Sequence, residues 1–292
     1  MEANRYTIYQ PNNQPLAIVQ ILHGMQEYKE RYNYFIEQLL ANNIVCVVHD
    51  HLGHGLNCPK EDLGFFKENN GFKQLVYDTC EIQTMMQKQF PKLPYILFGH
   101  SMGSIVARNY LKQYDSHLSA LILSGAPNYT PAVKLGQKLA KLVVKTKGPK
   151  VYSPFLTKLF MGNFNKGYAE PNMWLSKNPL NVSNYNKDPN CGFPFTAKGF
   201  EDIALGLIEM HKISDWKLTN QKLPILFIAG ENDPCIGDVK GFNDSINTLK
   251  KVGYQAVEAK KFPSLRHEIL NEEEKDEVIA YILTWLQNQQ IL

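Results

Sequence analysis

One short segment of the sequence combines residue types that could perform nucleophilic chemistry. Residues 99–103 read Gly-His-Ser-Met-Gly, so Ser101 has a glycine two positions before it and another two positions after it. This spacing is typical of a sharp strand-to-helix turn that exposes a serine hydroxyl in a strained backbone conformation. Side chains larger than hydrogen at Gly99 and Gly103 would collide across such a turn. The pattern therefore predicts that Ser101 is the nucleophile of an acyl-transfer reaction.

A serine nucleophile needs a base that accepts its proton and a group that orients the base. His267 follows the last predicted strand, and Asp233 follows a strongly apolar run. In hydrolases built on the α/β-hydrolase fold, the chain order is serine, acid, histidine, and these three residues keep that order. We predict that His267 is the base and Asp233 the acid that orients it. Glu231 and Asp238 remain alternatives for the acid.

Two backbone amides are candidates for binding the oxyanion of a tetrahedral intermediate. One N–H belongs to Met102, which follows the predicted nucleophile, and the other belongs to Met25 of the segment His23-Gly24-Met25. Enzymes with a nucleophile turn of this kind take one donor from each of these two places. One such donor typically contributes about 3 kcal/mol of transition-state stabilisation. We therefore predict that Met25 and Met102 form the oxyanion hole.

Predicted strands and helices alternate along the chain on both sides of one long interruption. Nearly continuous apolar runs such as residues 16–22 are typical of parallel strands buried on both faces, and the last strand is predicted at residues 254–259. This alternation predicts an α/β fold with a mostly parallel central sheet and helices on both faces. Residues 127–215 lack a buried strand. We expect residues 1–126 and 216–292 to form the catalytic core and 127–215 an inserted helical cap.

Composition excludes several classes of protein. The 292 residues carry a net charge of only +3, which does not favour a nucleic-acid partner. The five cysteines are odd in number and lack a C-x-x-C motif, so we predict neither a disulfide framework nor a metal site, and we expect no cofactor. No apolar run is long enough to span a membrane, and residues 1–5 lack the apolar core of a signal peptide, so we expect a cytoplasmic protein. The oligomeric state stays open.

Five motifs together resemble the monoacylglycerol lipase and lysophospholipase group of α/β-hydrolases. They lie at residues 23–25, 50–55, 99–104, 230–234 and 266–272. Two segments of the interruption, residues 174–176 and 188–196, are similar to a bacterial branch described as lysophospholipase-like. The resemblance implies an α/β-hydrolase fold with a cap, the triad Ser101, Asp233 and His267, and oxyanion donors at Met25 and Met102.

The resemblance also implies an activity. A serine carboxylic-ester hydrolase of this group forms an acyl-enzyme on monoacylglycerol, lysophospholipid or a similar small lipid-like ester. Residues 25–28 read Met-Gln-Glu-Tyr where many monoacylglycerol lipases have a glycine and a histidine-containing segment, so a preference for glycerol esters is not implied. A short-chain carboxylesterase, a peptidase, an acyltransferase and a catalytically silent binding module remain alternatives.

The interruption begins with a basic amphipathic helix. Four lysines fall on one stripe and four aliphatic residues on another: Lys134, Lys138, Lys141 and Lys145, and Leu135, Leu139, Leu142 and Val143. Such a helix can lie on an anionic membrane or pack on a neighbour with a solvated face, and we favour the second interpretation. An apolar cluster follows, which forms either the core of the cap or the lining of an acyl-chain pocket: Phe155, Leu156, Leu159, Phe160 and Phe164.

Overall fold

The central sheet has seven strands in the computed structural model, which describes residues 6–292. The strands are β1 (Tyr6–Tyr9), β2 (Ala17–Leu22), β3 (Ile44–His49), β4 (Tyr95–His100), β5 (Ala120–Ser124), β6 (Ile225–Gly230) and β7 (Val257–Phe262). Their order across the sheet is β1-β3-β2-β4-β5-β6-β7. Only β1 pairs in the antiparallel sense, and the other neighbours are parallel.

Nine α-helices accompany the sheet in the described part of the chain. They are α1 (Asn33–Ala41), α2 (Gly71–Gln89), α3 (Met102–Tyr114), α4 (Ala132–Lys147), α5 (Pro154–Met161), α6 (Pro179–Lys187), α7 (Ala197–His211), α8 (Val239–Val252) and α9 (Lys275–Asn288). Apolar residues of α1 and α9 share one core with one side of the sheet. Residues of α2, α3 and α8 share a second core with its other side. Both faces of the sheet are therefore covered, which explains the continuous apolar runs of its inner strands.

The predicted α/β fold with a mostly parallel sheet is confirmed. The last strand, however, was predicted at residues 254–259 and lies at Val257–Phe262. Tyr254 instead lies two residues beyond α8, where its N–H donates to the Leu249 carbonyl and its hydroxyl donates to the Asp115 carboxylate. The charged residues Lys260 and Lys261 lie within the strand, since β7 is at the edge of the sheet and pairs only with β6.

Helices α4 to α7 lie between β5 and β6 in the chain, where the sequence predicted the interruption. Helix α4 packs against α7, and its most buried residues are the small ones, Gly136 and Ala140. The cap bounds 127 and 215 stay a prediction. Among residues 6–292, no helix has the length and apolar character needed to cross a bilayer. The expected absence of a signal peptide concerns residues 1–5, outside the described residues.

Candidate active site

Ser101 lies in a strained turn between β4 and α3. Its φ of 50° is in the left-handed region, and its N–H donates to the Ser124 carbonyl over 2.9 Å. A Cβ on Gly99 would lie 2.6 Å from the Gly103 carbonyl oxygen, and a Cβ on Gly103 would lie 2.1 Å from the Leu22 carbonyl oxygen. Both contacts are too short for any side chain, so glycine is required on each side of the serine. The strained conformation exposes the Ser101 side chain at the carboxyl end of the central strand β4.

His267 and Asp233 form a buried pair. Nδ1 of His267 lies 2.8 Å from Oδ2 of Asp233, and each residue is only 2% exposed. An ionised carboxylate can only accept, so Nδ1 carries the hydrogen and Nε2 is left as the basic nitrogen. The second Asp233 oxygen accepts the N–H of Cys235 over 2.8 Å. The alternative acids do not pair with His267. Glu231 is exposed, and Asp238 caps α8 by accepting the N–H of Gly241.

The surroundings of His267 fix its ring and raise its basicity. The Trp174 ring, 4.9 Å away between centroids, and the His100 ring, 4.7 Å away, flank the imidazole. Burial alone would lower the pKa of His267, but the neighbouring Asp233 carboxylate outweighs it and holds the pKa well above its ordinary value. A Cβ on Gly125, which has a φ of 53°, would come within 2.9 Å of the imidazole. Only glycine fits there, a constraint that sequence reasoning missed.

Met25 and Gln26 form a turn, which we call the Met25 turn, and the preceding Gly24 allows this turn to lie against Ser101. A Cβ on Gly24 would lie 3.2 Å from the Cβ of Ser101, and both methionines predicted as oxyanion donors line the cavity with Ser101. Met102 is the first residue of α3, and N–H groups in the first turn of a helix have no acceptor within the helix. The arrangement places two main-chain segments beside one serine, as an oxyanion hole requires.

Backbone N–H groups of Gly24 and of the Met25 turn donate hydrogen bonds to buried side chains, which hold the turn in place. The Glu27 carboxylate accepts the N–H of Gly24 at 2.5 Å, and His54 Nε2 accepts the N–H of Gln26 at 3.3 Å. The imidazole can accept because burial, and then the neighbouring His23, lowers the pKa of His54 well below its ordinary value. The histidines of this region therefore shape the turn.

A buried charge network connects the turn with the segment that holds the base. Arg31 donates two hydrogen bonds to Glu268, of 2.6 and 2.7 Å, and a third of 2.8 Å to Glu27. Asn181 of α6 donates to the same Glu268 carboxylate over 2.7 Å. Sequence reasoning missed this network. The four-residue spacing of Glu27 and Arg31 was a sign of an interacting pair, but nothing in the sequence joined them to Glu268.

A cavity of about 110 Å³ opens beside Ser101 and His267. Its wall is mostly apolar and comes from α3, the loop residue Trp174 and the helices inserted between β5 and β6. The apolar lining includes Ile105, Phe160, Phe164, Phe200, Ile203 and Leu207. Two members of the apolar cluster predicted in the interruption, Phe160 and Phe164, thus line the cavity, whereas Leu156 is buried in the core and Phe155 is exposed.

One cluster in the described residues has the composition of a metal site. Ligand atoms of Asp233, Cys235 and His267 lie within 4.8 Å of one another. Two of these residues already satisfy each other as a hydrogen-bonded pair, and burial raises the pKa of the Cys235 thiol, which disfavours the thiolate that zinc requires. The predicted absence of a metal and a cofactor stays a prediction.

Two relatives of this chain among known proteins are both named as lipases of monoacylglycerols. A monoacylglycerol lipase of Mycolicibacterium smegmatis is 27% identical over 288 residues, which cover 96% of this chain and 91% of that protein. Human monoglyceride lipase is 28% identical over 227 residues, covering 77% of this chain and 68% of that protein.

The solved structures include a similar fold over nearly the whole chain. A thermostable carboxyl esterase from Bacillus coagulans, in complex with glycerol, superposes with a TM-score of 0.87 at 27% identity, covering 98% of this chain and 94% of that one. The model of the family Hydrolase_4, described as serine aminopeptidase, S33, matches residues 13–274. With that match spanning most of the chain, the protein belongs to the Hydrolase_4 (serine aminopeptidase, S33) family of α/β-hydrolases.

Proposed function

We propose that the protein is a serine carboxylic-ester hydrolase that acts through an acyl-enzyme on monoacylglycerol, lysophospholipid or a similar lipid-like ester. The observation that carries the proposal is the buried His267–Asp233 pair beside the strained Ser101, at the wall of an apolar cavity. Relatives named as monoacylglycerol lipases support the same class of substrate.

The reaction follows from the roles proposed for these residues. His267 Nε2 takes the hydroxyl proton as Ser101 attacks the ester carbonyl, and Asp233 stabilises the imidazolium that forms. The N–H groups of Met25 and Met102 hold the oxyanion of the tetrahedral intermediate. His267 then gives the proton to the departing alcohol. In the second half it activates a water, which releases the acyl group from Ser101.

The apolar cavity favours an ester with a hydrocarbon chain. Aromatic and aliphatic side chains bury a chain without leaving polar groups unpaired, so each buried methylene of the acyl group contributes about 0.8 kcal/mol. We propose that residues 127–215 form the cap, since the lining residues Phe160, Phe164 and Ile203 come from that segment. The cap then selects the acyl group.

An aminopeptidase activity is the alternative that the family description raises. It would need a free carboxylate in the cavity to bind the substrate ammonium group. The carboxylates that line the cavity in the described part of the chain are Glu27 and Glu268, and both are committed to Arg31. This pairing favours the esterase.

Two measurements test the proposal. A fluorophosphonate probe should label the folded wild-type protein and leave Ser101→Ala unlabelled, and failure to label the wild-type protein would contradict a serine hydrolase. A panel of monoacylglycerols, lysophospholipids and p-nitrophenyl esters of graded chain length then defines the substrate. Hydrolysis of acetyl esters alone would refute the lipid-like substrate, and hydrolysis of aminoacyl amides in preference to esters would support the peptidase.

We also propose that the cap touches anionic lipid surfaces transiently. Four apolar side chains of α4 and α5 are 46–62% exposed and form what we call the α4–α5 patch: Leu135, Leu142, Phe155 and Leu159. The four lysines of the predicted basic stripe are exposed on α4 as well. A basic helix with exposed apolar side chains matches the chemistry of an anionic membrane surface.

Vesicle sedimentation tests this contact. The wild-type protein should bind vesicles rich in phosphatidylglycerol more than vesicles of phosphatidylcholine, and salt should weaken the binding. The double variant Leu135→Ser/Phe155→Ser should lose binding, whereas Leu180→Ser, which changes an exposed leucine of α6, should keep it. Equal binding by all three proteins would contradict the proposed contact.

A further inference from the structure

A second cleft lies where α3, the end of α7 and α8 meet. Its cavity volume is only about 10 Å³, and it shares no lining residue with the cavity at Ser101. Its wall is formed by Tyr129 and by residues of the three helices: Arg108 of α3, Met210 and His211 of α7, and Ser245, Thr248 and Leu249 of α8. The cleft therefore joins helices of the core to the last helix before β6.

Arg108 is a buried cation without a carboxylate partner among residues 6–292. Its side chain is 3% exposed, and its Nε and Nη2 groups donate to the carbonyls of Ser104 and Pro127, at 3.2 and 2.8 Å. Nη1 donates to no acceptor in the described residues and is not among their fully buried unpartnered atoms, so it keeps access to solvent. Burial lowers the pKa of Arg108 to about 9, so the guanidinium still carries its charge at neutral pH. A buried charge without a counter-ion is unfavourable, and an anion beside Nη1 would remove that cost.

Ser245 supplies a second unsatisfied polar group on the wall of the cleft. The residue is 6% exposed, and its Oγ has no hydrogen-bond partner among the residues described. A serine hydroxyl can rotate to donate toward an acceptor in the cleft. Buried polar groups normally have partners, so this hydroxyl also indicates an occupant.

The charges around the cleft are mostly positive. His211 lies over Tyr129 at its mouth, and besides burial the cations Lys134, Lys251 and Arg108 lower the pKa of His211. The one acidic neighbour of His211, Asp244, is 3.7 Å from its Nδ1 and is 40% exposed. That carboxylate therefore faces His211 and solvent and leaves the Arg108 guanidinium uncompensated.

We propose that this cleft binds one small inorganic anion of the size of chloride, held by Arg108 Nη1 and Ser245 Oγ. The cleft has room for one water molecule or one small ion, so an organic carboxylate does not fit. A water would satisfy the hydroxyl but would not neutralise the guanidinium. Because the ion contacts α3 and α8 beside the end of α7, its binding stabilises the packing of these three helices.

Thermal unfolding of the full chain tests the proposal. Sodium gluconate is replaced stepwise by sodium chloride at constant ionic strength, and the melting temperature should rise by about 2–4 °C once chloride is well above its Kd. Ser245→Ala should weaken the response and Arg108→Met should abolish it. The matched control is Lys112→Met, which changes another buried cation of α3, one that already donates to the Glu209 carbonyl. It should keep the full response.

Crystals grown in sodium bromide supply a readout that does not depend on folding of the Arg108 variant. The bound bromide should give an anomalous difference peak between Arg108 Nη1 and Ser245 Oγ. In Ser245→Ala crystals this peak should be weaker or absent. The proposal would be overturned if chloride did not change the melting temperature of the wild-type protein, or if the bromide crystal lacked the peak. Either result would show that water alone fills the cleft. A larger response to sulfate than to chloride would overturn the assignment of size.

Discussion

Arg31 and Glu268 are 237 positions apart in the sequence and form a doubly hydrogen-bonded ion pair with N–O distances of 2.6 and 2.7 Å. Glu268 directly follows His267, and Arg31 also holds Glu27, which accepts the N–H of Gly24. One guanidinium therefore connects the segment of the proposed base with the turn of the proposed oxyanion hole. Its loss should affect both.

The variant Arg31→Met should be destabilised by about 3–5 kcal/mol, because it leaves two buried carboxylates without their cation. Denaturant unfolding measures this change. The control is Lys150→Met, whose exposed ion pair with Asp62 should leave the unfolding free energy close to the wild-type value. If both substitutions lowered the unfolding free energy equally, the Arg31 network would not contribute the stability proposed for it.

Acid should destabilise the protein through Glu268. Burial alone would raise its pKa, but Arg31 holds it at about 2, below the ordinary 4.5. A carboxylate with a depressed folded-state pKa contributes stability above pH 4.5 that is lost as the pH falls toward 2, here roughly 3 kcal/mol. Unfolding curves at several pH values should show this loss, and Glu268→Gln should show a smaller dependence over the same range.

The substitution Asp233→Asn should lower kcat by about 10⁴-fold, because an amide no longer fixes the tautomer of His267. Steady-state kinetics on a p-nitrophenyl ester measures the effect. Glu231→Gln is the matched control, since Glu231 is exposed two residues away and should tolerate the change. Turnover near the wild-type value in Asp233→Asn would show that another carboxylate orients the histidine.

The pH dependence of kcat/KM should report His267. The protonated imidazole cannot accept the Ser101 proton, and Asp233 raises the histidine pKa, so activity should rise with pH along a limb whose midpoint lies above about 6.5. In Asp233→Asn the residual activity should have a lower midpoint, because the neighbouring negative charge is gone. A midpoint unchanged by the substitution would contradict this electrostatic role.

Gly24→Ala should reduce kcat by about 10²–10³-fold while the protein remains folded. The added methyl would meet the Ser101 Cβ at 3.2 Å and Glu27 Oε1 at 2.7 Å, so the Met25 turn must move away from the serine. Gly148→Ala is the control. No atom lies within 4 Å of its added methyl, and although its φ of 97° strains an alanine, activity should be retained. Unchanged kcat in Gly24→Ala would argue against an oxyanion hole at this turn.

Chain-length preference should depend on the cap side of the cavity. Ile203→Phe adds volume to the wall and should shift the best substrate toward shorter acyl chains, measured as kcat/KM across the ester panel. Leu205→Phe, on an exposed position of the same helix, should leave the profile unchanged. If Ile203→Phe left the chain-length preference unchanged, the acyl chain would not lie against Ile203.

The sequence by itself determined the sheet, the family and the short-range geometry of the nucleophile. Continuous apolar runs predict buried parallel strands, and the two glycines around Ser101 predict a strained turn, because both depend on residues close together in the chain. The α/β fold and the resemblance to lipases of this group are confirmed, while the catalytic roles of Ser101, Asp233 and His267 stay predictions.

Tertiary structure decided what depends on distant partners. The apolar stripe of α4 did not reveal that Leu135 and Leu142 remain exposed, since the helix packs through Gly136 and Ala140. The sequence likewise gave no reason to pair Arg31 with Glu268, or to place Arg108 in a cleft with Ser245. Long-range pairing of charges and the burial of one face of a helix follow from how whole elements pack, which no local pattern records.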